Sequence, residues 1–112
     1  MVEGLLSIVG KRIARIVLYG SVARGTATVD SDVDIAILLF SSLDKELESQ
    51  LSNFIVDMNL KYDKVYSVID IGIEEFEEWS STIPFYRNVN QEGIVLWKAA
   101  WLNFQNIDMK ER

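Results

Sequence analysis

Two apolar runs joined by a short polar stretch constrain this chain more than any other feature. Ile16-Val17-Leu18-Tyr19 leads into the turn Gly20-Ser21, and Asp32 and Asp34 lead into Ile35-Ala36-Ile37-Leu38-Leu39. The second run is almost wholly apolar, as expected of a buried strand. Side chains alternate along an extended strand, so Asp32 and Asp34 project from one side at its entrance.

Two carboxylates at that spacing can give hard oxygen ligands to one divalent cation. Mg²⁺ suits such a site, because it keeps waters and takes its other ligands from substrate phosphates. Solvated aspartates at a strand end are the plainer alternative. Adjacent carboxylates at the mouth of a buried strand repel each other unless a cation or hydrogen-bond donors compensate them. We therefore expect a metal at Asp32 and Asp34.

The upstream half has the chemistry of a phosphate cradle. Gly20 can take backbone angles closed to other residues and lets a ligand approach the main chain. Ser21 adds a hydroxyl and is expected to cap a short helix through Val22-Ala23-Arg24. Arg24 offers a permanently charged fork to phosphate oxygens, or else pairs with Asp30 or Asp32. Gly25 reads equally as the stop of that helix.

These residues carry a resemblance. Gly20-Ser21, Ala23-Arg24-Gly25 and Ser31-Asp32-x-Asp34 resemble the signature of the DNA polymerase β-like nucleotidyltransferase superfamily. The chain is most similar to its minimal nucleotidyltransferase (MNT) branch, whose members often act as antitoxins beside a HEPN-domain ribonuclease toxin. The motif is short, but size and element order extend the likeness over residues 1–97. The resemblance implies that the glycine-serine turn holds nucleotide phosphates and that the aspartate pair holds Mg²⁺. It further implies a third carboxylate on a later strand, which completes the metal site and helps to activate the acceptor hydroxyl.

Asp70 is the candidate for that third ligand. It stands inside Val65-Tyr66-Ser67-Val68-Ile69-Asp70-Ile71, where a lone buried carboxylate would be costly. The other reading places it at a strand end, facing water or capping the turn at Gly72. Asp63, Glu74 and Glu75 are weaker candidates in loop or exposed helix positions.

The patterning predicts helix over 3–14, strand over 15–19 and 33–39, helix over 43–60 and strand over 65–71. Short helices are expected over 74–79 and 83–90, the second entered at Pro84, with 93–97 a short strand or a buried tail. The expected fold class is α+β, an α/β sandwich with helices packed on a small mixed sheet, the polymerase β-like nucleotidyltransferase fold. With 112 residues and 49% hydrophobic content, one domain over 1–112 is expected, with 98–112 a C-terminal tail. Trp101 and Phe104 in that tail pack on their own domain or form a surface for a dimer or a partner.

Seventeen acids against eleven bases give a net charge of −6, which opposes general DNA or RNA binding. Lys11, Arg12 and Arg15 could draw a nucleotide toward the first strand, or be solvated helix residues. The chain has no cysteine and no histidine, so thiolate, Ser-His-Asp and cysteine-zinc chemistries are excluded. No secretory signal pattern or membrane-length apolar run is visible, and the cytoplasm is the expected location.

These observations lead to an Mg²⁺-dependent nucleotidyltransferase using an NTP, with ATP expected. Asp32, Asp34 and Asp70 would form the metal and catalytic set, and Gly20, Ser21 and Arg24 would bind the nucleotide. Little chain remains for an acceptor-binding domain, so another protein is expected to present the hydroxyl. By resemblance that protein is a HEPN-type toxin and the modification is adenylylation. Transfer to a small hydroxylated molecule such as an aminoglycoside, with acceptor contacts from a homodimer, is the first alternative. Neutralisation of a partner by binding alone is the second.

Overall fold

A computed structural model describes residues 1–100, which form a four-stranded mixed sheet with helices on both faces. In chain order the elements are α1 (Val2–Val9), β1 (Ile13–Tyr19), α2 (Gly20–Arg24), β2 (Val33–Leu39), α3 (Lys45–Tyr62), β3 (Tyr66–Gly72), α4 (Ile73–Trp79), α5 (Pro84–Glu92) and β4 (Ile94–Lys98). The strand order is β3-β2-β1-β4. β2 is therefore central, antiparallel to β1 and parallel to β3.

The strand β2 spans the residues expected of it, and its run Ile35–Leu39 is buried throughout. Its alternate residues feed two cores. Ile35, Ile37 and Leu39 join Leu5, Val9, Ile16 and Leu51 under α1 and α3. Ala36 and Leu38 join Val17, Ile71, Phe76 and Val89 under α4 and α5. Both faces of β2 are covered, which is why its sequence is a continuous apolar run rather than an alternation.

The first helix ends sooner than its periodicity predicts. α1 closes at Val9, a 3₁₀ turn covers Gly10–Arg12, and Ile13 and Ala14 already belong to β1. Both are buried in the sheet, so tertiary packing overrides the helical pattern. The longest helix, α3, is capped by Asp44, whose carboxylate accepts from the Leu47 N–H at 2.8 Å. A cap of this kind is worth about 1 kcal/mol. Pro84 opens α5 at its first position, where a missing N–H costs nothing.

The residues after Gly93 return as a strand. β4 pairs antiparallel with the outer side of β1, and the Ala99 N–H donates to the Ala14 carbonyl at 2.9 Å. Lys98 is thus the last residue of β4 and pairs with Arg15, so the expected tail does not begin there. Trp101 and Phe104 lie outside the described residues.

Candidate active site

The strand register assembles the candidate site on one face of the sheet. Tyr19, the last residue of β1, stands opposite Asp34, and Ser67 of β3 stands opposite Asp34 on its other side. Cross-strand partners share a face, so Tyr19, Asp34 and Ser67 form a row across three strands. That face is the one covered by α4 and α5, because Val17, Ala36 and Ile69 occupy its next row.

Gly20 follows Tyr19 and turns the chain with φ +78°. A Cβ at this position would collide with the Asp34 carboxylate oxygen Oδ2. Glycine is thus required twice, for the backbone angle and for the space that the acid fills. α2 then runs from Gly20 to Arg24, with Tyr19 at its N-cap position and no side-chain cap. Ser21 lies within the helix rather than capping it, and its carbonyl accepts from the Thr26 N–H at 3.0 Å. Gly25 stops α2 in the left-handed region, φ +76°.

The chain returns to β2 through a turn in which Thr28 N–H donates to Ser31 Oγ at 2.9 Å and Ser31 N–H to Thr28 O at 3.1 Å. That turn delivers an exposed Asp32 and a half-buried Asp34 to the entrance of β2. The Asp34 carboxyl is raised above the ordinary aspartate pKa, first by burial and then by the Asp32 charge, while Arg24 opposes the rise. Burial and the nearby Asp34 charge also raise the Tyr19 hydroxyl. A half-buried carboxylate pressed by a second one is a place where a cation relieves both strains.

Asp70 is not brought to this pair. It stands opposite Ile37, three residues beyond Asp34, so it lies roughly 10 Å along the strand and on the other face. It is exposed on the outer strand β3 and lines a cavity of about 250 Å³ with Phe40, Ser42, Gly72 and Glu74. The β-branched run suggested a buried acid, but an edge strand can turn an acid to water. Among the described residues, no group of three or more acids stands close enough to share a metal ion. Beside Asp34, the place where a third acid could stand on β3 is held by Ser67.

Arg24 pairs with neither Asp30 nor Asp32. Its Nη1 lies 3.3 Å from Glu92 Oε2 on α5, an exposed ion pair. The basic residues Lys11, Arg12 and Arg15, the last of them inside β1, are also committed elsewhere or remote. Arg12 donates to the Ser42 carbonyl at 2.9 Å, and Arg15 faces Glu77 at 3.7 Å. Lys11 and Arg12 precede β1 and so stand roughly 20 Å of strand away from Gly20. They do not reach the site.

Sequence reasoning missed Tyr19 and Ser67 as members of this row. Tyr19 could have been found from its place immediately before the glycine turn. Ser67 needed the register between β2 and β3, which no local pattern supplies.

Comparison with known proteins bears on this arrangement. The nucleotidyltransferase domain family matches residues 2–95. A protein of Methanocaldococcus jannaschii, provisionally named a protein adenylyltransferase, is 36% identical over 103 residues, covering 86% of this chain and 90% of the relative. A toxin–antitoxin structure with AMP-PNP superposes with a TM-score of 0.59 at 21% identity, over 97% of this chain and 86% of that one. A mutant of the MntA–HpeT toxin–antitoxin gives 0.60 at 20% identity, over 98% and 84%. These structures share the fold, the polymerase β-like nucleotidyltransferase fold.

Proposed function

The chain belongs to the nucleotidyltransferase domain family, and from that premise we propose that it moves AMP from ATP onto a hydroxyl of a partner protein. The single observation that carries the reading is the packing of the Gly20 turn directly on Asp34. It puts a backbone suited to phosphate against a carboxylate suited to a cation. The adenylyltransferase name of the archaeal relative supports a protein acceptor. Toxin–antitoxin structures in which one chain has this fold support a toxin as the partner and an antitoxin role for this chain, and the family resemblance makes a HEPN-type toxin the one we propose.

The donor set fits Mg²⁺. Asp32 and Asp34 supply hard carboxylate oxygens, and burial and the Asp32 charge, only partly opposed by Arg24, disfavour the ionised Asp34 in a way a bound cation would relieve. When bound, Mg²⁺ supplies charge neutralisation on the triphosphate and the departing pyrophosphate. Gly20 and Ser21 hold the phosphates in line for attack, and Arg24, held in place by Glu92, adds positive charge beside them. The acceptor oxygen bonds to the α-phosphorus as the bond to the bridging oxygen breaks, and pyrophosphate leaves with that electron pair. With Asp70 on the other face, the acceptor's proton passes to solvent rather than to a β3 carboxylate.

The test is the intact mass of the co-encoded partner after incubation with this protein, ATP and Mg²⁺. Gain of whole adenylate units, lost with Asp34→Asn, is the expected result. An unchanged partner in a tight complex would replace this reading with neutralisation by binding. Labelling of an aminoglycoside in the absence of any partner would instead move the acceptor to a small molecule.

A further inference from the structure

We infer that the cleft between α2 and α5 is the nucleobase subsite of this enzyme, built for a purine and for adenine before guanine. The inference rests on the nucleotidyl-transfer reading and adds to it a specificity element. The cleft measures about 180 Å³ and is lined by Tyr19, Gly20, Arg24, Phe85, Asn88 and Glu92. Gly20 is its shared wall with the acid pair, since the same residue packs on Asp34. A nucleotide whose phosphates lie on the Gly20 turn therefore has this cleft within reach of its base.

The lining residues have the chemistry of base recognition. Phe85, Asn88 and Glu92 recur at i, i+3 and i+7 of α5, which aligns them along one side of the helix, with the buried Val89 between them lining the base of the cleft. Phe85 is 41% exposed and meets the Tyr19 ring edge to face, with centroids 5.6 Å apart. An aromatic left open beside a phosphate turn is a platform on which a base can stack. One helical turn on, the Asn88 amide offers a donor and an acceptor together, the pair that adenine's amino group and ring nitrogen complement. Glu92 is the group that could take the N–H edge of guanine, but its carboxylate is paired with Arg24. Few polar groups at the rim of a partly aromatic cleft is the usual composition of a small-ligand site.

Calorimetric titration of the whole protein with Mg²⁺ and ATP, GTP or inorganic tripolyphosphate tests this subsite. Wild type should bind ATP about tenfold more tightly than tripolyphosphate, and more tightly than GTP. Asn88→Ala and Phe85→Ala should each weaken ATP about tenfold while leaving tripolyphosphate binding unchanged. Unaltered ATP affinity in both variants, tripolyphosphate binding as tight as ATP, or a preference for GTP would overturn the subsite. Failure of wild type to bind either ATP or tripolyphosphate would instead overturn the nucleotidyl-transfer reading beneath it. Both side chains are at the surface, and unchanged tripolyphosphate binding in each variant shows that its fold is intact.

Discussion

The entrance of β2 and the far end of β3 each place an acid in an apolar strand, with opposite results. Asp34 lies on the central strand, flanked by Tyr19 and Ser67, half-buried and raised in pKa beside Asp32. Asp70 lies on the outer strand, exposed, on the other face of the sheet. Both sit among β-branched neighbours, on two strands that run parallel to each other. What separates them is parity and position. An odd offset of three residues puts Asp70 on the opposite face, and an edge strand lets it reach water without cost. An acid within an apolar run thus marks a site only where neighbours on both sides hem it in.

The largest expected effect follows from the crowded acid. Asp34→Asn should lower the rate of adenylate transfer by roughly 10³-fold or more, about 4 kcal/mol of transition-state stabilisation. Initial rates of partner labelling measure it, and a loss below tenfold would put Asp34 on the same footing as Asp70. Next, Gly20→Ala should cost on the order of 100-fold in rate, because the added carbon displaces the Asp34 carboxylate. The same change should destabilise the fold by about 1 kcal/mol or more, since alanine is strained at φ +78°. Chemical denaturation alongside the rate assay separates the two losses.

A smaller effect should come from placing an acid at the position beside Asp34 that Ser67 holds. Ser67→Asp should tighten Mn²⁺ binding by roughly tenfold, because a carboxylate replaces a hydroxyl on the face that carries Asp34. Weaker binding in that variant would mean that Ser67 does not face the pair. The smallest effect concerns stability without metal. Asp34 has a higher pKa folded than unfolded, so its ionised form opposes folding, and stability falls as pH rises through the folded value. Asp34→Asn should therefore raise the unfolding midpoint at pH 7 by roughly 2 °C, a modest gain because the group is only half-buried. The gain should vanish below the ordinary carboxylate range, where Asp34 is protonated in both states.

Much of this arrangement could be read in the chain. The glycine-serine turn, the aspartate pair and the buried run Ile35–Leu39 each carry a local signal, and β2 spans the residues expected. The helix α3 was legible from the spacing of Leu47, Leu51 and Phe54, which pack on the sheet as that spacing requires. The end of α1 was not, because Ile13 and Ala14 fit a helix pattern until the sheet claims them, Ile13 opposite Leu39 and Ala14 bonded to Ala99. Asp70 and Ser67 were also out of reach. Which of the two stands beside Asp34 depends on how β3 registers against β2, and a shift of one residue would exchange their faces. Arg24 finds its partner in Glu92, 68 residues further on, a contact that only the packing of α5 on α2 creates.

The most direct measurement counts Mn²⁺ bound in the presence of ATP, by electron paramagnetic resonance, for wild type, Asp34→Asn and Asp70→Asn. It needs no acceptor, and so it isolates the site from the identity of the partner. Binding should disappear in Asp34→Asn and stay within about twofold of wild type in Asp70→Asn. Loss of binding in Asp70→Asn, or its survival in Asp34→Asn, would contradict the claim that the entrance of β2 is where this enzyme works.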